Sequence, residues 1–152
     1  INGGSYRIYC KKNIKRSIKY KEQVSYNEII KFVKRVRQNK EMTLKFIKEK
    51  IRLGKKIFLY GASTKGNTLL QYYGLTNKEI PYAAERTKTK WGKYTVGSGV
   101  RIISEQDARN LKPDYFFVMP YGFIKEFIKR ERKWLKTGGK FLLPYPKFKV
   151  IK

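Results

Sequence analysis

From Ile29 onward, apolar residues recur at Val33, Val36, Leu44, Ile47 and Ile51, with a gap around Lys40. Steps of three and four return to one face of a helix, so this stretch predicts a long amphipathic helix whose weakest point is Asn39. Ser25, with Glu28 three residues later, has the spacing of a capping box at its start. Gly54 suits the position just past its end. After Gly54 the period shortens. Ile57 to Tyr60 is a continuous apolar run, as expected of a strand covered on both faces. Thr64 to Tyr73 reads as a helix closed by Gly74, and Ile80 to Ala84 as a second strand. Lys88 to Gly99 carries three glycines among basic and aromatic residues and reads as an ordered loop. Val100 to Ile103 is a third strand. Ser104, with Asp107 three residues on, caps a helix through Leu111. Tyr115 to Met119 is a fourth strand, and Phe123 to Leu135 a helix stopped at Gly138-Gly139. Lys140 to Leu143 begins the last strand.

Strands that alternate with helices imply crossover connections and a mostly parallel sheet. The expected fold is α/β: a small Rossmann-like parallel sheet with flanking helices over residues 55–152, preceded by the long helix. Residues 11–54 divide into a basic connector and that helix. Residues 1–10 run from a glycine turn into an alternating segment, Tyr6 to Cys10, and are read as the last strand of an upstream domain. The first residue is Ile1 rather than Met, so the chain is expected to be a piece of a longer protein.

Composition narrows the chemistry. The 152 residues suffice for one ordinary core. One cysteine excludes an internal disulfide and fits a reducing, cytoplasmic setting. The absence of histidine removes Ser-His and Cys-His nucleophile pairs, and with one cysteine it leaves no zinc site. No apolar run approaches the ~20 residues needed to cross a bilayer. The formal charge of +26 arises from 37 Lys and Arg against 11 Asp and Glu, spread along the whole chain. Such a balance suits a polyanionic partner, either a phosphorylated small ligand or nucleic acid, and equally suits a set of solvated lysine faces.

In an open parallel sheet, ligands sit outside the carboxyl ends of the strands. The residues just after each strand are therefore the candidates: Gly61 and Ser63 to Asn67, then Glu85 and Arg86, then Pro120 and Tyr121, then Pro144 and Tyr145. The loop Lys90-Trp91-Gly92-Lys93-Tyr94 lies between the second and third strands. Gly61 and Gly66 have the separation of a phosphate-binding P-loop, but Asn67 stands where its lysine belongs. Ser63 replaces the second glycine of the dinucleotide fingerprint, the one that admits a pyrophosphate. What remains is a strand–turn–helix able to hold an anion on backbone N–H groups and the Ser63 and Thr64 hydroxyls, or an empty tight turn. Glu85 is placed either to reach a ribose hydroxyl or to pair with Arg86 or a lysine. Trp91 and Tyr94 either stack on a base or sugar or pin the loop.

These segments also resemble a known family. Asn2-Gly3-Gly4-Ser5-Tyr6-Arg7, Tyr60-Gly61-Ala62-Ser63-Thr64-Lys65-Gly66-Asn67-Thr68, Trp91-Gly92-Lys93-Tyr94-Thr95, Lys112-Pro113-Asp114-Tyr115 leading to Met119-Pro120-Tyr121, and Gly138-Gly139-Lys140-Phe141 are similar, in order, to the C-terminal domain of the sugar C-methyltransferases. The resemblance implies an enzyme that uses S-adenosylmethionine to methylate a carbon of a nucleotide-linked sugar. It implies that the methyl-donor site and the catalytic base lie upstream, with no cofactor bound by these residues and no catalytic residue or metal ligand among them. The long helix would bridge the two domains. Substrate-binding candidates on this basis are Ser63, Thr64, Lys65, Gly66, Asn67, Glu85, Arg86, Lys93, Tyr94 and Tyr121. Partners would be the nucleotide-sugar and the upstream domain in cis. Two positions depart from the family pattern: Thr87 follows Arg86 directly, where an Asn-Pro step is usual, and Tyr121 stands where tryptophan is common. The competing reading is a basic nucleic-acid-binding module, with Trp91, Tyr94 and Tyr121 as stacking groups.

Overall fold

The computed structural model describes residue 12 and residues 25–152; the expected strand over residues 1–10 and most of the basic connector lie outside them. Helix α1 runs from Tyr26 to Arg52 without a break at Asn39. Its start is the expected capping box: Ser25 Oγ accepts from the Glu28 N–H at 3.2 Å, and Glu28 accepts from the Ser25 N–H at 2.9 Å. The helix holds together at Asn39 because that side chain points outward to partners far along the chain. It donates to the Pro146 carbonyl at 2.9 Å and accepts from the Phe148 N–H at 3.4 Å.

Strands β1 (Ile57–Tyr60), β2 (Tyr82–Glu85), β3 (Arg101–Ser104), β4 (Tyr115–Val118), β5 (Lys140–Leu143) and β6 (Lys149–Ile151) form one sheet in the order β3-β2-β1-β4-β5-β6. The first five are mutually parallel. The sixth is antiparallel to β5, with Phe141 opposite Ile151. Only β6 was missing from the sequence reading. Its three residues lie at a sheet edge and carry too short a pattern to stand out.

Side chains alternate across the sheet and make two cores. Ile57, Leu59, Phe117 and Leu142 face α1 and α2 (Thr64–Tyr73), together with Ile47, Leu70 and Tyr73. Phe58, Tyr60, Phe116, Val118 and Phe141 face α3 (Glu105–Asn110), α4 (Ile124–Arg130) and α5 (Arg132–Lys136), together with Ala108, Phe127 and Trp134. All four residues of β1 and of β4 are buried, which explains their unbroken apolar runs.

The helix expected over Phe123 to Leu135 is divided. A 3-10 turn, Tyr121–Phe123, leads into α4, and Glu131 separates α4 from α5. Glu131 is almost wholly buried, and its carboxylate reaches inward to the Tyr60 hydroxyl and Arg109. A buried carboxylate is tolerated where donors surround it, and here they come from β1 and α3.

Candidate functional site

Strands β1 and β4 are neighbours, but the chain leaves β1 towards β2 on one side and β4 towards β5 on the other. Their carboxyl ends therefore border a topological switch point, where α/β sheets open a crevice. The crevice here has two joined parts. The first, about 270 Å³, is lined by Tyr60 to Ser63, Glu85, Arg86 and Lys90 on one side and by Glu105, Pro120, Phe123, Glu126 and Arg130 on the other. The second, about 240 Å³, lies between Ser63, Thr64 and Lys65 at the start of α2 and Tyr121, Gly122, Phe123 and Tyr145. Ser63, Pro120 and Phe123 belong to both, so the two form one cleft. Together they reach the size of an ordinary small-molecule site. A wider groove of about 680 Å³ opens over Arg109, Glu131 and Lys133; it shares Glu105 and Arg130 with the first part of the cleft but lies away from the turn after β1.

The turn after β1 is shaped by packing as much as by any ligand. Gly61 has φ +87°, a left-handed conformation, and a Cβ there would meet Pro120 Cγ at 3.1 Å. A Cβ on Gly66 would meet Met119 Cγ at 3.1 Å. Both glycines let this turn and α2 close onto the end of β4. Ser63 is the N-cap of α2, and its Oγ accepts from the Gly66 N–H at 3.1 Å. The Asn67 N–H bonds to the Ser63 carbonyl at 3.0 Å. Gly66 and Asn67 do not line the cleft; the enclosed Oδ1 of Asn67 has no hydrogen-bond partner among the described residues.

Glu85 ties the turn to the end of β2. Its carboxylate accepts from the N–H groups of Ala62, Arg86 and Thr87, each at 2.9 Å, and lies 3.7 Å from Lys90 Nζ. Burial opposes the charge, but the Thr87 and Ala62 hydrogen bonds and the Lys90 charge outweigh it, so the pKa lies below the ordinary carboxylate value. Its ion-pair partner is thus Lys90; the Arg86 side chain turns instead to Glu126. Lys90 also donates to the Ala62 carbonyl at 2.9 Å, and Trp91 Nε1 donates to the Glu85 carbonyl at 2.8 Å. Trp91 therefore pins its loop.

That loop then runs antiparallel to β3. The Ile102 N–H bonds to the Lys93 carbonyl at 2.8 Å, and Tyr94 bridges Arg101 at the strand's amino end. Lys93 and Tyr94 are exposed and stand away from the cleft. Tyr121 lines the second part, packing edge-on against Tyr145 with ring centroids 4.8 Å apart. The Tyr145 hydroxyl donates to the Met119 carbonyl, and burial, with Tyr121 and Tyr73 nearby, pushes its pKa up to about 12.

The structure thus brings Ser63, Thr64, Lys65, Glu85, Arg86 and Tyr121 to one cleft and leaves Gly66, Asn67, Lys93 and Tyr94 outside its lining. Among the lining residues that escaped the sequence reading are Glu105, Phe123, Glu126 and Arg130. Glu105 directly follows β3, so the rule that found Glu85 would have found it. Glu126 and Arg130 form an i,i+4 pair, joined at 3.0 Å. The pattern showed the pair but not which way its helix face turned.

The residues of this turn depart from the dinucleotide-binding pattern. Ser63 occupies the place of the glycine that admits close approach, and the acid at the end of β2 is engaged by three backbone N–H groups. Among the described residues, no helix is long and apolar enough to cross a membrane.

Strand order, crossovers and a cleft at the switch point define a Rossmann-like α/β domain. The chain belongs to the C-methyltransferase C-terminal domain family, whose model matches residues 1–146. It is similar to the C-methyltransferase NovU of Streptomyces niveus, at 38% identity over 98 residues. That stretch is 64% of this chain and 23% of NovU.

Proposed function

We propose that this domain holds the substrate of an S-adenosylmethionine-dependent C-methyltransferase in the cytoplasm, and that the substrate is a nucleotide-linked sugar. The observation that carries the reading is the two-part cleft at the β1/β4 switch point. One half ends on Arg86 and Arg130, which suit phosphate oxygens. The other is walled by Tyr121 and Tyr145, whose faces suit a sugar or a base. The start of α2 between them adds the favourable end of a helix dipole. The methyl donor and the base that activates the substrate carbon are assigned to other parts of the protein, as the family resemblance implies. The role of these residues is to bind and orient.

The apolar residues at the start of α1 support an arrangement with an upstream domain. Tyr26, Ile29, Ile30 and Val33 are all exposed, while Ile47, five turns on from Ile29, is fully buried. The first half of the helix offers an apolar stripe that the described residues leave uncovered.

Titration with a nucleoside-diphosphate sugar and with a single-stranded oligonucleotide, at two salt concentrations, tests the reading. Saturable binding of the sugar nucleotide, weakened by a Lys65→Ala, Tyr121→Ala double substitution, is expected. Oligonucleotide binding that falls steeply with salt, with no sugar-nucleotide binding, would overturn it.

A further inference from the structure

Glu126 Oε1 accepts from Arg130 Nη1 at 3.0 Å and lies 3.6 Å from Arg86 Nη1. One carboxylate oxygen thus sits between two guanidinium groups carried by different elements, the end of β2 and α4. We infer that Arg86 and Arg130 form a clamp for a diphosphate and that the Glu126 carboxylate is its displaceable occupant. The inference rests on the proposed substrate class for its biological ligand, but the clamp itself is a property of these three side chains.

The three groups differ in how firmly they are held. Arg130 is fixed. Its Nε donates to the Tyr60 hydroxyl at 3.1 Å, its Nη2 lies 2.9 Å from Glu105 Oε1, and its guanidinium stands over the rings of Phe127 and Tyr60. The nitrogen left for the cleft is Nη1, which faces Glu126. Arg86 is 67% exposed and has no other ion-pair partner among the described residues. Glu126 is 55% exposed, and these two arginines are its only partners there. A carboxylate so exposed gains little from its pairs and rotates away cheaply. Its departure leaves one rigid and one mobile guanidinium on the same spot. The other acids of this part of the cleft leave Arg86 uncompensated and offset only Arg130 in part. Glu85 is engaged by backbone N–H groups and Lys90, and Glu105 by Arg130.

A diphosphate suits this pair better than a single phosphate does. The exposed guanidinium of Arg86 is a planar fork that matches two oxygens, Arg130 adds its Nη1, and two linked phosphates offer both groups a partner at once. Glu126 would hold the arginines apart from solvent anions until a doubly charged group competes for them.

The test is calorimetric titration of the protein with inorganic pyrophosphate and with orthophosphate. Pyrophosphate is expected to bind more tightly than orthophosphate. Glu126→Gln, which removes the competing charge but keeps the shape, is expected to tighten pyrophosphate binding about two- to fivefold. Arg86→Ala is expected to weaken it about tenfold. All these side chains are exposed, and matched urea midpoints would establish that the variants fold. Absent pyrophosphate binding, or affinity unmoved by either substitution, would overturn the clamp. Sugar-nucleotide binding measured on the same proteins separates the two readings. If it persists undiminished in Arg86→Ala, the proposed function stands and the clamp falls. If pyrophosphate responds as expected but no sugar nucleotide binds, the clamp stands and the substrate class falls.

Discussion

The Tyr60 hydroxyl donates to Glu131 Oε1 at 2.7 Å, joining the last residue of β1 to the break between α4 and α5. The same hydroxyl accepts from Arg130 Nε at 3.1 Å, and Glu131 also accepts from Arg109 Nη1 at 2.7 Å. Three elements on one face of the sheet are thereby fixed around the residue that immediately precedes the site turn. The position of Arg130 in the cleft follows from this arrangement.

Tyr60→Phe should therefore cost about 1–3 kcal/mol, because it leaves the buried Glu131 carboxylate and the half-buried Arg130 Nε each short of a partner. The cost should depend on pH. Burial first, and then the Glu131 carboxylate, hold the Tyr60 hydroxyl far above its usual value near 10. Below that value the tyrosine is neutral in both states, and its contribution is complete. Above it the unfolded chain releases a proton that the folded protein keeps, so the contribution is lost as pH rises. Urea midpoints of wild type and Tyr60→Phe, measured at pH 7 and at about pH 10.5 or higher, should converge on the alkaline side.

Glu85 gives the opposite sign. Its pKa is lowered in the folded protein, so its contribution is present above the unfolded value near 4.3 and is lost as pH falls through the folded value. Glu85→Gln keeps an acceptor but loses the charge shared by three N–H groups, and at pH 7 should cost about 1–3 kcal/mol. Denaturation of both proteins at pH 7 and pH 3.5 should show the gap narrowing in acid. An equal gap at both values would mean that the carboxylate's charge does not hold the turn to β2.

The sequence exposed the sheet because β1 and β4 are buried on both faces, and their apolar runs have no other use. It exposed the starts of α1 and α3 because Ser25 and Ser104 each cap with their own side chains; the Ser63 cap of α2 emerged only in the structure. It was weaker on the site. Ser63, Glu85, Arg86 and Tyr121, chosen by position after a strand, lie along one edge, but Lys93 and Tyr94 follow a loop that turns back along β3. Sequence order cannot reveal that reversal, which depends on hydrogen bonds between Gly92, Lys93 and Ile102. Glu126 and Arg130 were hidden for a related reason: their helix is divided at Glu131, and a buried acid in a basic, polar stretch looks like any other surface charge.

The glycines of the turn allow a sharper test of packing against ligand access. Gly61→Ala places a side chain at φ +87° and against Pro120, and should cost about 1–3 kcal/mol with no ligand present. Gly66 is helical, so alanine would ordinarily gain ~1 kcal/mol there. Its Cβ would crowd the flexible Met119 side chain, which should cancel much of that gain. Thermal midpoints of the two variants should therefore differ, with Gly61→Ala clearly lower. If Gly61→Ala melted like wild type, the glycine would be serving something other than the approach of β4.

Helix α1 divides into two halves with different uses. Ile47 is fully buried against the sheet, and Phe46 packs edge-on against Tyr115 at 5.3 Å. Ile47→Ala should cost about 2–5 kcal/mol. Ile29 is 47% exposed and Val33 37% exposed, so Ile29→Ala should change the stability of this domain by no more than about 0.5 kcal/mol. On the proposed reading, another part of the methyltransferase covers the stripe formed by Tyr26, Ile29, Ile30 and Val33. In a protein that includes the rest of the enzyme, Lys31, Lys34 and Arg35 beside that stripe should resist trypsin. An Ile29→Asp, Val33→Asp double substitution should open them to cleavage and lower methyl transfer, while the thermal midpoint of the isolated domain stays put. Rapid cleavage at these residues in the unsubstituted enzyme would show that the stripe has no such cover.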